Sequence, residues 1–111
     1  MAQTIVQKTP TEAAKVATGT YLDTGTVAAY NFDDLGFKPR YVKVINVGAA
    51  GLVSLEWFEG MPDASAWKQA ADGAQTYITT LGITVNARGF TMGLDTDLNV
   101  TSEQVYFVAM A

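Results

Sequence analysis

One short segment of the sequence has residue types and a spacing that could ligate calcium. Asp95, Asp97 and Asn99 follow the order D-x-D-x-N, which supplies oxygen ligands at the spacing with which calcium loops begin. A complete loop also needs a glycine after the Asn and a bidentate glutamate at its twelfth position, and Val100 and Tyr106 stand there instead. We therefore predict a surface loop in which Asp and Asn cap the backbone, and no metal site.

A second candidate is a group of carboxylates beside aromatic residues, the combination that glycosidases use. Glu56, Glu59 and Asp63 surround Trp57 and Phe58. Because side chains alternate along a strand, two glutamates three positions apart lie on opposite faces unless the chain bends between them. We interpret these carboxylates as solvated charge at the rim of the domain and assign no catalytic residue.

The composition excludes several kinds of active site. The 111 residues include neither histidine nor cysteine, which removes the usual general base near neutral pH, the thiolate nucleophile and most zinc sites. The net charge of −4 disfavours non-specific binding to nucleic acid. We accordingly expect a protein that is not an enzyme and that has no cofactor, no metal and no nucleic-acid partner.

Hydropathy and charge indicate a folded, weakly charged domain. Hydrophobic residues make up 49% of the chain and charged residues 16%, which is typical of a protein with a packed core. The low charge suggests that another chain covers part of the surface. No apolar run is long enough for a signal peptide or a membrane span, so we expect synthesis in the cytoplasm and no membrane partner.

Three basic residues lie within six positions near the start of one predicted strand, interleaved with two aromatic ones. They are Phe37, Lys38, Arg40, Tyr41 and Lys43. Basic and aromatic residues alternate in this way on surfaces that bind single-stranded nucleic acid. The basic residues also suit binding to a partner protein with an acidic surface. The simplest interpretation is structural, because Pro39 sets the backbone angle at the strand start and the basic side chains can pair with the acidic turn at 33–34.

Turn residues recur about every ten positions from Gly19 onward, and the runs between them are rich in Val, Ile, Thr, Tyr and Phe. This spacing predicts an all-β, single-domain β-sandwich of jelly-roll type. Residues 52–57 alternate apolar with polar and indicate a half-buried strand. Residues 104–111 are almost continuously apolar and predict a strand covered on both faces. Residues 62–71 predict at most one short helical turn.

Two further segments are expected to be strands with glycines at informative places. In residues 77–85 the apolar side chains share one face, and Gly82 predicts a turn or a bulge. In residues 89–94 the large side chains share one face, and Gly89 and Gly93 lie on the other. A glycine within a strand lets another backbone or ring approach closely.

The first 18 residues differ from the rest because they are small and polar and contain no aromatic residue. Ile5 and Val6 are the only bulky neighbours before Val16. We predict an N-terminal arm at 1–18, either a short strand or a segment that orders on a partner, followed by the β-sandwich domain at 19–111.

Five phrases of the sequence carry a resemblance to a known group of proteins. They are LGFKPRYVKVIN at 35–46, EWFEGM at 56–61, ADGAQT at 71–76, GITV at 82–85 and GF at 89–90. The chain from 19 to 111 thereby resembles small structural proteins of tailed bacteriophages. The resemblance implies a virion component. A small β-sandwich with an arm looks most like a capsid decoration (cement) protein, which binds the outer shell and bridges neighbouring major capsid subunits.

The resemblance also implies partners and a location. The partners are the major capsid protein and further copies of the chain, with a trimer favoured over a dimer. The location is the capsid surface, after synthesis in the cytoplasm of the bacterial host. We predict that the capsid-facing residues are Ile5, Val6, Lys8, Lys38, Arg40 and Lys43. The alternative is a carbohydrate- or receptor-binding module of a tail or head fibre, in which Trp57, Trp67 and Tyr77 are exposed.

Overall fold

The structure is a computed structural model that describes residues 15–48 and 52–111. These residues form eight β-strands. The strands are β1 (Val16–Tyr21), β2 (Tyr30–Phe32), β3 (Tyr41–Asn46), β4 (Val53–Phe58), β5 (Ser65–Gln69), β6 (Gln75–Asn86), β7 (Gly89–Met92) and β8 (Val105–Met110). The described residues contain no helix, and the all-β prediction is confirmed.

All eight strands belong to one antiparallel sheet in the order β1-β8-β3-β4-β5-β6-β7-β2. The last strand lies between the first and the third, so that Val108 has Thr18 on one side and Lys43 on the other. The sheet curls until β2 lies over β8, where the ring centroids of Phe32 and Phe107 are 4.6 Å apart. The strands thereby enclose one core and form the single domain that the sequence predicts.

Alternating burial along the central strands builds this core. In β4, Val53, Leu55 and Trp57 are buried and the residues between them are partly exposed, as the sequence predicts. β3 follows the same period, with Val42 and Val44 fully buried. On the opposite side of the curled sheet, β6 and β7 complete the core with Ile83, Phe90 and Met92, and the loop after β7 adds Leu98. One face of the central strands therefore points inward and the other points away from the core.

The prediction that the last strand is covered on both faces is wrong. Phe107 and Ala109 point into the core, but Tyr106 is 45% exposed and Met110 is 39% exposed. A continuous apolar run has no period that distinguishes a buried face from an exposed one. β8 therefore presents large apolar side chains on a face that no described residue covers.

The segment after Pro62 forms a single turn and then a strand, which agrees with the prediction of at most one short helical turn. The backbone N–H and the hydroxyl of Ser65 both donate to Pro62 O, at 3.4 and 2.6 Å. β5 then pairs on both sides, with Trp67 opposite Glu56 of β4 and Tyr77 of β6. Hydrogen bonding to two neighbouring strands keeps the chain extended after this turn.

The predicted irregularity at Gly82 is confirmed. The register between β5 and β6 shifts between Ser65 and Ala66, and Ser65 lies opposite Ile83. A side chain on Gly82 would lie 2.6 Å from the Ser65 backbone, which explains the glycine. Because the bulge interrupts the alternation, the apolar residues of 77–85 do not share one face: Ile83 is buried, and the large residues before the bulge are exposed.

The sheet begins earlier than the predicted domain does. β1 starts at Val16, so residues 16–18, which the sequence assigned to the arm, belong to the sheet. Ile5, Val6 and Lys8 of the predicted arm lie outside the described residues. Within 15–48 and 52–111, no helix has the length and apolar character that crossing a bilayer requires.

Candidate functional site

Four neighbouring strands present a row of large side chains on the surface that faces away from the core. The register places Val16, Met110, Tyr41 and Phe58 side by side on β1, β8, β3 and β4. Val16 is 61% exposed and Phe58 is 47% exposed. The rings of Tyr41 and Phe58 are 5.2 Å apart between centroids. We call this surface of β1, β8, β3 and β4 the outer face.

A second group of apolar residues extends the outer face along the strands. A groove of about 340 Å³ is lined by Lys43, Ile45, Tyr106, Phe107 and Val108. The solvated face of an antiparallel sheet ordinarily alternates polar residues with the buried ones. Here most of the outward positions of β3 and β8 are large and apolar. Contiguous apolar surface of this kind marks contact with another molecule.

The outer face also carries one acid and one base. The Tyr41 hydroxyl donates to Glu56 Oε2 at 2.6 Å. Burial, followed by this hydrogen bond and the carboxylate charge, raises the pKa of Tyr41 to about 12. Lys43 lies opposite Glu56 in the register of β3 and β4. An acidic and a basic side chain thus lie among the apolar and hydroxyl side chains of the outer face, where they can orient a partner.

The structure describes three of the predicted capsid-facing residues and places them differently. Lys43 lies on the outer face. Arg40 lies just before β3, where its Nε is 3.6 Å from Glu59 Oε2. Both side chains of this pair are about one third exposed, so it contributes little stability. Lys38 is exposed in the loop before Arg40. The basic residues therefore flank and enter the outer face rather than forming one cluster.

The two glutamates considered for glycosidase chemistry have different partners. Glu56 accepts the hydrogen bond from Tyr41 on the outer face, whereas Glu59 pairs with Arg40 after the end of β4. Both glutamates are at least partly exposed. This placement agrees with their interpretation as solvated charge.

The sequence interpretation missed most of the outer-face residues. Phe58 follows the buried Trp57, so the alternation in β4 already indicates that it points outward. Tyr106 and Met110 gave no such signal, because they lie within a continuous apolar run. Val16 was assigned to the arm, and only its pairing with Met110 places it in the row.

Two further aromatic residues continue the outer face onto β5 and β6. Trp67 lies opposite both Glu56 and Tyr77, and the two aromatic side chains are 38% and 46% exposed. Trp57 instead is 4% exposed and donates from Nε1 to Pro62 O at 3.4 Å. Of the three aromatic residues that a sugar platform would need, two are therefore on the surface and one is in the core.

The loop after β7 is organised by its carboxylates and by one lysine. Asp95 Oδ1 accepts hydrogen bonds from the backbone N–H groups of Asp97 and Leu98, at 3.0 and 3.1 Å, which confirms the predicted capping for Asp95. Asn99 instead donates from Nδ2 to Ala28 O at 2.9 Å, and Asp95 and Asn99 are buried rather than at the surface. Lys68 Nζ donates to Asp95 Oδ2 at 2.9 Å and to Asp97 Oδ2 at 2.8 Å. The ammonium group lies between the two carboxylates, in the position that a bound cation would take.

A buried asparagine fastens the same loop to the sheet. Asn46 Nδ2 donates to Leu98 O at 2.8 Å and to Glu103 Oε1 at 2.9 Å. Its Oδ1 accepts from the Gly48 N–H at 2.6 Å. Since a buried amide is stable only when its hydrogen bonds are made, these contacts explain the burial of Asn46. Asn99 Oδ1 in the same loop is buried without a hydrogen-bond partner among the described residues.

Among the described residues, no three acidic side chains are arranged to hold a metal ion. The exposed apolar row of the outer face remains the surface feature that internal packing does not explain. Comparison with known proteins finds no matching family model, no matching curated protein and no matching solved structure.

Proposed function

We propose that this chain is a structural protein of a bacteriophage virion, a capsid decoration protein that binds the outer capsid surface and bridges major capsid subunits. The observation that carries the proposal is the exposed row of Val16, Met110, Tyr41 and Phe58 on the outer face. An exposed row of four large side chains favours binding to a protein, because the contact removes their apolar area from water. The resemblance of residues 19–111 to small virion proteins of tailed phages supports the same role.

The proposed partners are the major capsid protein and further copies of this chain, with a trimer favoured over a dimer. The outer face measures roughly 19 by 20 Å from strand spacing and rise, or about 400 Å². A stable complex usually takes about 800 Å² from each partner. Lys38, Arg40 and the segment at 1–14 are therefore proposed to add contacts. Avidity from an oligomer would strengthen the binding further.

The proposal places the protein on the capsid surface after its synthesis in the host cytoplasm. Its role is mechanical and needs neither a catalytic group nor a cofactor. A contact on the outer face leaves the core untouched, since the row residues alternate with the buried ones. Binding to the capsid and folding of the domain are therefore separable by mutation.

Co-sedimentation with emptied, undecorated phage heads tests the proposal. We expect saturable binding at a fixed ratio to the major capsid protein, and a strong reduction in the Met110→Glu variant. Leu94→Glu is the matched control, because Leu94 is 38% exposed and lies outside the four strands of the outer face. Absence of saturable binding by the wild-type chain would contradict the proposal.

The second candidate is a carbohydrate- or receptor-binding module of a phage tail or head fibre. The observation that favours it is the exposed cross-strand pair of Trp67 and Tyr77, because sugars stack on exposed aromatic rings. A glycan array distinguishes the two functions. Specific binding that Trp67→Ala removes and Phe58→Ala retains would support the fibre module, whereas no binding to any glycan would reject it.

A further inference from the structure

The first and last strands of the sheet order approach each other without pairing. Among the described residues, β1 pairs as a strand only with β8, and β2 only with β7. The ring centroids of Tyr21 and Tyr30 are 5.3 Å apart, so the curled sheet is almost closed at that end. An open groove of about 1000 Å³ lies between the two strands, with Phe107 among its lining residues. We call this groove the seam.

On the β1 side of the seam, some backbone groups have no partner among residues 15–48 and 52–111. Lys15 and Ala111 exchange two hydrogen bonds, at 3.0 and 2.9 Å. Bonded and non-bonded pairs alternate along an antiparallel ladder, so Thr18 and Thr20 direct their N–H and C=O groups away from β8 and toward the seam. Free backbone groups that line a groove with aromatic walls are a template for one more strand.

β1 lacks the features with which proteins protect an edge strand. Its sequence, VATGTY, contains no proline and no charged residue, and these are the residues that elsewhere block pairing at an edge. The side chains from Ala17 to Thr20 are small and leave the backbone accessible. An edge of this kind accepts an extended segment by strand addition, in which main-chain hydrogen bonds provide the affinity.

We propose that the seam binds residues 3–8 of a second copy of this chain, QTIVQK, as an added β-strand. This segment contains the β-branched pair Ile5 and Val6 and neither glycine nor proline, which favours an extended conformation. The seam is acidic, since Asp23, Asp33 and Asp34 line it together with a single arginine, Arg88. The only charged side chain of residues 3–8 is that of Lys8, which complements this surface.

The connection to β1 favours exchange between two copies. Residues 1–14 join the sheet at Lys15, the end of β1 away from the Tyr21–Tyr30 contact. Residues 9–14 can lead either back into the seam of the same chain or across to a second copy, and the extended backbone that Pro10 imposes on Thr9 favours the second route. Six extended residues span about 20 Å, which is long enough to cross between two copies in contact. A closed ring of copies, such as the trimer proposed above, lets each copy give one strand to the next and receive one from the previous copy. The inference holds whether or not the protein is a capsid component.

Cysteine cross-linking tests the exchange directly, because the natural chain contains no cysteine. A Val6→Cys chain is mixed with a Thr18→Cys chain under mild oxidation. We expect a covalent dimer that contains one chain of each kind. A mixture of Val6→Cys with Gln69→Cys is the control, since Gln69 is exposed on β5, far from both edges in the sheet order. Cross-linking no stronger than in this control would overturn the proposal.

Amide hydrogen exchange and the mass in solution test the strand exchange without introduced cysteines. In the wild-type oligomer we expect the Thr18 and Thr20 amides to be protected as well as those of Ala17 and Gly19, which bond to β8. The Val6→Pro variant becomes monomeric and loses protection at Thr18 and Thr20 only, whereas Ala2→Pro changes neither property. Rapid exchange at Thr18 and Thr20 in the wild type would overturn the proposal. Protection of Thr18 and Thr20 in a protein that is monomeric at every concentration would also overturn the proposal, because the added strand would then come from the same chain.

Discussion

Lys68 Nζ lies 2.9 Å from Asp95 Oδ2, and this contact joins the middle of the sheet to the loop after β7. The two side chains are only 14% and 8% exposed. Asp97 completes the arrangement as a more exposed second acceptor at 2.8 Å. A charge that is mostly removed from water is tolerated only when it is paired and hydrogen-bonded. The lysine and the loop conformation therefore depend on each other.

We predict that Lys68→Met lowers the free energy of unfolding by about 2–3 kcal/mol, because it leaves the buried Asp95 carboxylate without its ammonium partner. Chemical denaturation measures this loss. Lys43→Met, on the outer face, is the control and should change stability by less than about 0.5 kcal/mol. Equal effects of the two substitutions would contradict a structural role for the Lys68 contact.

We predict that the Tyr41 hydroxyl ionises at a higher pH than an ordinary tyrosine does, which alkaline titration can measure. Burial and the hydrogen bond to Glu56 raise its pKa from 10.0 to about 12. Because the folded-state pKa is raised, the stability that the protonated Tyr41 hydroxyl contributes to the fold is complete below pH 10 and is lost as the pH rises toward 12. Absorbance of tyrosinate in the folded protein should therefore show a late-ionising component, and Tyr41→Phe should reduce it. An unchanged titration curve for that variant would assign the late component elsewhere.

Gly89→Ala should destabilise the hairpin of β6 and β7. A Cβ at Gly89 would overlap Phe32 O, a backbone atom that cannot move without disturbing β2. We expect a loss of about 3 kcal/mol, as for severe overpacking. Gly25→Ala is the control, because its nearest neighbour would be Asp23 Oδ1 at 3.5 Å, an ordinary contact. Thermal unfolding of both variants measures the difference.

The two tryptophans should respond differently to acrylamide. Trp57 is 4% exposed and Trp67 is 38% exposed. Trp67→Phe should leave a protein with blue-shifted emission and weak quenching, whereas Trp57→Phe should leave red-shifted emission and strong quenching. If binding to a partner covers the continuation of the outer face, quenching of Trp67 alone should decrease. Strong quenching in Trp67→Phe would contradict the buried position of Trp57.

Local sequence patterns predicted those strands in which one face is buried and the other is exposed. The alternation in β4 identified Trp57 as a core residue, and the D-x-D-x-N segment was correctly interpreted as a loop in which an Asp side chain caps the backbone. The strand after Pro62 was not predicted, because pairing with β4 and β6, its neighbours in the chain, decides the conformation there. Local patterns carry no information on which strands become neighbours.

The candidate site was less predictable for the same reason. Lys43 was identified from its own neighbourhood in the sequence. The outer-face row depends on a register that joins residues 16, 41, 58 and 110, and no local period reveals it. In β8, moreover, apolar residues face both the core and the outside. A surface built for a partner can therefore have the same composition as a buried strand.

The position of β8 between β1 and β3 has a consequence for how the protein is made. A ribosome releases β1 and β3 long before residues 105–110, so neither strand can pair with β8 during most of translation, although β3 can already pair with β4. The backbone groups of β1 and β3 that will bond to β8 are exposed throughout that interval. The contacts between β1 and β8 join residues that are nearly a whole chain length apart, and contacts of such long sequence separation slow folding. Folding of this domain is therefore a late, all-at-once event, and the nascent chain is most vulnerable to aggregation just before it.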